Sequence, residues 1–146
     1  MRKSVVCIFL ALLGFITGCS PDLSDDPIPP ATFPDIFIDL NLPAYTDLKT
    51  DKGFKYINGG VKGIILYRFN STTYFAFERN CSYQPNEACA TVNVHASGLY
   101  MIDPCCSSTF EFPDGDPMDG PAWRSLRKYR TTLDGFTLTI TSESTD

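Results

Sequence analysis

Histidine is nearly absent from this chain: His95 is the only one among 146 residues. A single imidazole excludes any centre that needs two. It also leaves Ser107 and Ser108 without a nearby base, so a hydrolase built on His95 would need partners that the sequence does not disclose. Basic charge is scarce too. Beyond residue 18, ten basic residues stand against seventeen acidic ones, a net charge of −7, which argues against nucleic-acid binding or attraction to an anionic membrane. The one basic concentration, Arg124, Arg127, Lys128 and Arg130, reads as a solvated strand entry. No Cys-x-x-Cys motif is present, so a thiol-disulfide exchanger lacks its signature. The acidic run Asp114-Gly-Asp-Pro-Met-Asp-Gly120 puts Met118 and Ser125 at loop positions five and twelve, where an EF-hand needs oxygen ligands, and it reads as a turn-rich loop. Long apolar runs are missing as well: residues 5–16 form a stretch of about a dozen, short of the ~20 that span a bilayer.

That short run instead has the layout of an export signal. Arg2 and Lys3 give a positive start, and Thr17 and Gly18 lead into Cys19. Ile16-Thr17-Gly18-Cys19 resembles the lipobox of bacterial lipoproteins, which implies that Cys19 carries acyl chains such as palmitate and becomes the mature N-terminus. More than one chain on a residue gives stable anchoring where a single chain does not. In residues 20–34, five prolines alternate with Asp22, Asp25, Asp26 and small polar residues, a composition that denies a helix and stiffens the stretch into an extended tether. Ser20 resembles the sorting position of outer-membrane lipoproteins, and Ser24-Asp25-Asp26 resembles the export signals of surface-exposed lipoproteins of the Bacteroidetes. The expected organisation is a signal peptide (1–18), a lipidated tether (19–34) and one domain (35–146). The implied location is the cell envelope at the outer membrane, periplasmic or surface-exposed, with the membrane as a partner through the lipid.

Beyond the tether, alternation predicts strands almost throughout. In residues 37–42, Ile38, Leu40 and Leu42 share one face and Asp39 and Asn41 the other. Residues 61–68 and 73–79 are rich in β-branched and aromatic side chains, with Asn70-Ser71-Thr72 as the loop between them and Asn58-Gly59-Gly60 as a turn before them. Residues 91–95 and 99–102 are two shorter strands. Residues 127–133 and 136–141 flank Asp134-Gly135, a strong hairpin signal. Only residues 44–49 suit a helical turn. Many short strands between turn signals predict an all-β fold, a small antiparallel sandwich or barrel.

Four cysteines lie in this domain: Cys81, Cys89, Cys105 and Cys106. An even number in an exported domain favours disulfides, and a bond between adjacent Cys105 and Cys106 demands a strained ring, which leaves two cross-pairings open. Four thiolates around one cluster are a poor alternative, because adjacent cysteines rarely project to two corners of it.

The boxes Cys81-Ser82-Tyr83 and Asp103-Pro104-Cys105-Cys106-Ser107-Ser108, with Gly120-Pro121-Ala122, Leu126, Tyr129 and the Asp134-Gly135 hairpin behind them, resemble the cluster-binding half of a Rieske domain. The resemblance covers roughly residues 60–141. It implies a Rieske-type all-β fold with a cluster-loop subdomain. Rieske centres hold a two-iron two-sulfur cluster through two cysteines and two histidines. The ligand positions carry over to Cys81, Tyr83, Asp103 and Cys106, so one of the four keeps the family's residue. The family's accessory bridge carries over to Cys89 and Cys105, although Cys89 lies three residues further along than usual, and this leaves Cys81 with Cys106 for a second bridge. Each bond would contribute about 3 kcal/mol on the chain-entropy estimate. Tyr83 is expected to fill the space of the cluster, and Asp103 to cap the Ser107 or Ser108 amides in preference to binding metal. Trp123 and Tyr129 offer either an apolar patch for a partner or a core plug.

Together these expectations describe a cell-envelope lipoprotein with a cluster-less Rieske-like domain, disulfide-stapled, without cofactor or catalytic residues. It would act as a structural or binding module toward an envelope protein or ligand. Electron transfer through a 2Fe-2S cluster is the alternative.

Overall fold

The structure is a computed structural model that describes residues 26–145. The expected signal peptide, the lipidation site Cys19 and the first part of the tether lie outside the described residues. Among the described residues, no helix is long and apolar enough to cross a membrane.

Ten strands make two antiparallel sheets, an all-β fold of the class that the alternation predicts. The larger sheet is built from β1 (Ile36–Asp39), β2 (Phe54–Ile57), β3 (Ile64–Arg68), β4 (Tyr74–Glu78), β9 (Lys128–Asp134) and β10 (Thr137–Ser144), in the order β1-β10-β9-β4-β3-β2. The smaller sheet, in the order β5-β6-β7-β8, comes wholly from the chain between β4 and β9: β5 (Asn93–Val94), β6 (Tyr100–Ile102), β7 (Thr109–Glu111) and β8 (Pro117–Asp119). The helical turn expected at 44–49 is a short 3-10 helix, Pro43–Lys49, kinked at Tyr45.

Strand β3 explains how the layers stack. Ile64 and Leu66 join one core with Ile38, Tyr74, Ala76, Tyr129, Leu138 and Ile140. Ile65 and Tyr67 join a second core with Phe77, Val92, Met101, Phe110 and Leu126, which lies between the two sheets. A strand covered on both faces reads as a continuous apolar run, as Ile64-Ile65-Leu66-Tyr67 does.

Three details differ from the alternation reading. Leu42 is 48% exposed, because β1 ends at Asp39 and the chain turns before Leu42 reaches the inner face. The last hairpin turns at Gly135-Phe136, one residue later than expected: Asp134 pairs with Thr137, and Gly135 takes the positive φ of 58° that a two-residue loop requires. Residues 26–34 also do more than tether. They run along the domain, where the Arg127 guanidinium donates to the Ile28 and Pro29 carbonyls at 2.6 Å each, and Phe33 packs edge-on against Tyr129.

Candidate functional site

Both boxes occupy loops at the junction of the two sheets, the first between β4 and β5, the second between β6 and β7. Strand β4 aims its inward positions, Tyr74, Ala76 and Glu78, at the first core, so a buried carboxylate closes an apolar row. Glu78 accepts hydrogen bonds from the amides of Val61 (2.7 Å), Lys62 (3.0 Å) and Asn80 (2.8 Å) and from the Tyr129 hydroxyl (2.6 Å). Gly60 is required here: at φ 65°, a Cβ would lie 2.3 Å from Glu78 Oε2. This network fixes the end of β4 from which the first box departs. Lys62 then reaches across to donate to the Glu87 (2.5 Å) and Ala90 (2.9 Å) carbonyls, and the Cys81 amide bonds Ala90 O at 3.3 Å, closing the loop on itself.

The second box is a tight turn. The Asp103 amide donates to Ser108 O (2.9 Å) and the Ser107 amide to Asp103 O (2.8 Å), with Ser107 at φ 65°. Left-handed non-glycine residues are costly and concentrate at functional loops. Of the three such residues described, two, Gln84 and Ser107, follow directly on Tyr83 and Cys106. Two serines clamp the tail loop over both boxes: Ser82 Oγ donates to Arg124 O at 2.6 Å, and Ser108 Oγ accepts from the Ala122 amide at 3.0 Å. Gly120 permits that approach, since a Cβ there would sit 2.5 Å from Ser108 Cα.

Cys89 and Cys105 are joined by a disulfide that links the two boxes. Cys81 and Cys106, expected as a second bridge, stand as free thiols with their sulfurs 3.9 Å apart, nearly twice the length of about 2.05 Å of a disulfide bond. Asp103 lies between them in chemistry as well as in sequence. Its Oδ1 accepts from the Cys105 amide (2.9 Å) and its Oδ2 from the Cys106 thiol (3.3 Å). The expectation that its carboxylate caps Ser107 or Ser108 is therefore corrected: the main-chain carbonyl of Asp103 takes the Ser107 amide, which frees the side chain to face the thiols. The three donor atoms of Cys81, Asp103 and Cys106 all lie within 4.8 Å of one another, and Cys81 and Asp103 are fully buried. Burial pushes the Cys81 thiol well above its ordinary pKa. The Tyr83 amide opposes this, and the neighbouring Asp103 carboxylate and Cys106 reinforce it.

Tyr83 packs, half-buried, against the second core. Trp123 and Tyr129 separate: Trp123 is 61% exposed with the Arg124 guanidinium 4.5 Å over its ring, whereas Tyr129 is buried. His95 stays out of the site, at the β5–β6 turn. Its ring stacks on Tyr100 at 4.3 Å and its Nδ1 lies 2.9 Å from Ser97 Oγ. The site thus offers two thiols, a carboxylate and a phenol, which is not the two-thiolate, two-imidazole set of a Rieske cluster.

Sequence reasoning missed Glu78 and Lys62, and the clamping roles of Ser82 and Ser108. Only Glu78 left a signal, as an acidic residue on the inward row of a strand.

No protein-family model matches the chain, and no curated protein matches it. Solved structures do. The plasma membrane Rieske protein PetC3 of the cyanobacterium Synechocystis PCC 6803 superposes with a TM-score of 0.53 at 25% identity, over 67% of this chain and 94% of that one. A chain of the complex between reduced oxygenase and oxidised ferredoxin in carbazole 1,9a-dioxygenase gives 0.53 at 16% identity, over 76% of this chain and 97% of that one. The curled six-stranded sheet with its small four-stranded companion is accordingly the Rieske fold, and the Cys81, Asp103 and Cys106 group lies near where a cluster sits in such a fold.

Proposed function

We propose that this chain is a lipid-anchored protein of the cell envelope whose Rieske-type domain carries no two-iron two-sulfur cluster and serves as a structural or binding module. The observation that carries this reading is the donor set. Imidazole is missing from the boxes, and the lone histidine is committed to Ser97 and Tyr100 elsewhere. Fold does not transmit function when the ligands differ. The Cys89–Cys105 bond, the serine clamps and Lys62 supply a brace between the loops that owes nothing to iron. The anchor rests on Cys19 and the apolar run before it, and the acidic balance supports a partner other than nucleic acid.

The test is iron and acid-labile sulfide analysis of the full chain purified from membranes, with its visible spectrum. Colourless protein without sulfide is expected. Brown protein with two irons per chain would overturn the reading in favour of electron transfer. Growth with labelled palmitate should mark the wild-type chain and not Cys19→Ser, and equal labelling would remove the anchor from the proposal.

A further inference from the structure

Building on the cluster-less reading, we propose that Cys81, Asp103 and Cys106 form a mononuclear site for a divalent transition metal of the Zn²⁺ class, with a fourth coordination position left to solvent. Distances argue for it first. With Zn–S near 2.3 Å and Zn–O near 2.0–2.2 Å, a tetrahedral ion sets its ligand atoms about 3.8 Å apart for S···S and about 3.5 Å apart for S···O. Here the Cys81 and Cys106 sulfurs are 3.9 Å apart, and Cys106 Sγ is 3.3 Å from Asp103 Oδ2. Two edges of the triangle match those of one coordination sphere, and the third, from Cys81 to Asp103, lies within 4.8 Å.

Charge argues for it independently. Asp103 is fully buried, yet among the described residues its carboxylate meets only an amide and thiols, with no lysine, arginine or histidine paired to it. Buried carboxylates are paired with a cation or ligate a metal, and here no described side chain does the pairing.

Two of the three donors are also oriented from behind, as metal ligands are. The Cys105 amide holds Oδ1 and so presents Oδ2, and Ser108 Oγ lies 3.1 Å from Cys106 Sγ while itself held by the Ala122 amide. Two thiolates with one carboxylate suit zinc and its neighbours, whereas magnesium and calcium seek oxygen. On binding, the ion takes the place of the two thiol protons, which pass to solvent, and Asp103 contributes its oxygen directly. Cys106 is the partly exposed member, so it marks the side from which the ion and its fourth ligand arrive.

The experiment titrates the full-length protein, purified anaerobically in detergent, with Co²⁺ alone. The expected result is one equivalent bound, with tetrahedral visible bands and a thiolate charge-transfer band that one equivalent of Zn²⁺ bleaches. Asp103→Asn keeps the Cys105 amide acceptor and should weaken Co²⁺ at least tenfold. Cys106→Ser should abolish the charge-transfer band, or leave that of a single thiolate. His95→Ala, at the β5–β6 turn outside the site, should leave both stoichiometry and bands unchanged. Absence of the bands, or bands that survive in Cys81→Ser with Cys106→Ser, would overturn the site. An intact mass showing Cys81 and Cys106 resistant to alkylation through a second disulfide would overturn it too, yet leave the cluster-less reading standing. Inorganic sulfide with two irons would remove both.

Discussion

The two sheets of this domain are held together by different means. Strands of the large sheet run from four to eight residues and bury apolar side chains in register, so hydrophobic transfer and ladder hydrogen bonds maintain them. Strands of the small sheet are only two or three residues long, and hairpins of that length are marginal alone. The small sheet leans on one face of β3 and β4 through Val92, Met101 and Phe110, and cross-links finish what pairing cannot: a disulfide and side chains reaching over to backbone groups. Apolar area secures the first region, and discrete bonds secure the second.

Glu78 is where the two regimes meet, and removing it should be the most damaging single change. Glu78→Ala strips the partner from four donors at once, three of them main-chain amides. Hydrogen bonds to charged groups are worth ~1.5–3 kcal/mol, and orphaned buried donors cost more than their absence. A loss of about 4 kcal/mol is expected, read as a shift of the urea midpoint. If that variant lost hydrogen-exchange protection only in residues 81–119, Glu78 would belong to the small sheet alone and the division drawn above would be wrong.

Next in size is the disulfide. Cys89 and Cys105 are 16 residues apart, a loop for which closure entropy gives about 3 kcal/mol. Replacing both by alanine should cost that much, and the cost should be local. Amide protection should fall in β5 to β8 and persist in β9 and β10. Uniform loss across both sheets would show that the small sheet unfolds only with the large one.

The same contrast explains what could be read before the structure. Pattern and composition identified β1, β3, β4, β5, β6, β9 and β10, helped by apolar inward rows in the long strands, by Asn-Gly before β3 and by Asp-Gly between β9 and β10. They did not reveal β7 or β8, where Thr109-Phe110-Glu111 and Pro117-Met118-Asp119 are too short for a period to show and Pro117 argues against a strand. Strand β2 was missed for a different reason: Phe54-Lys55-Tyr56-Ile57 alternates only weakly, and none of its four positions is fully buried to mark an inward row. At the site, spacing located the boxes and the family resemblance gave the Cys89–Cys105 pair. The role of Asp103 was not legible, since which atom caps Ser107 depends on the left-handed turn there. Nor was the clamp by Ser82 and Ser108, whose partners lie 42 and 14 residues away.

The smallest of these effects isolates a single hydroxyl. Tyr129 donates to Glu78 Oε2 at 2.6 Å in the first core. Burial raises its pKa well above the ordinary value of about 10, and the Glu78 carboxylate, by hydrogen bond and charge, raises it further. Tyr129→Phe keeps the ring contact with Phe33 and leaves Glu78 its three amides, so a loss of about 1.5 kcal/mol at neutral pH is expected. The sign of the pH dependence follows from the upward shift. The unfolded chain releases the phenolic proton at about pH 10 while the folded one retains it, so this contribution is complete below pH 10 and is lost as pH rises beyond it. Wild-type stability should therefore fall steeply above pH 10, and the deficit of Tyr129→Phe should narrow over the same range. Tyr67, also raised by burial and by Asp51, leaves a shallower slope in the variant. Denaturant midpoints at pH 7, 9, 10 and 11 decide it: a constant gap between the two proteins would mean that the hydroxyl does not stay protonated against Glu78, and that the first core is closed by apolar contact alone.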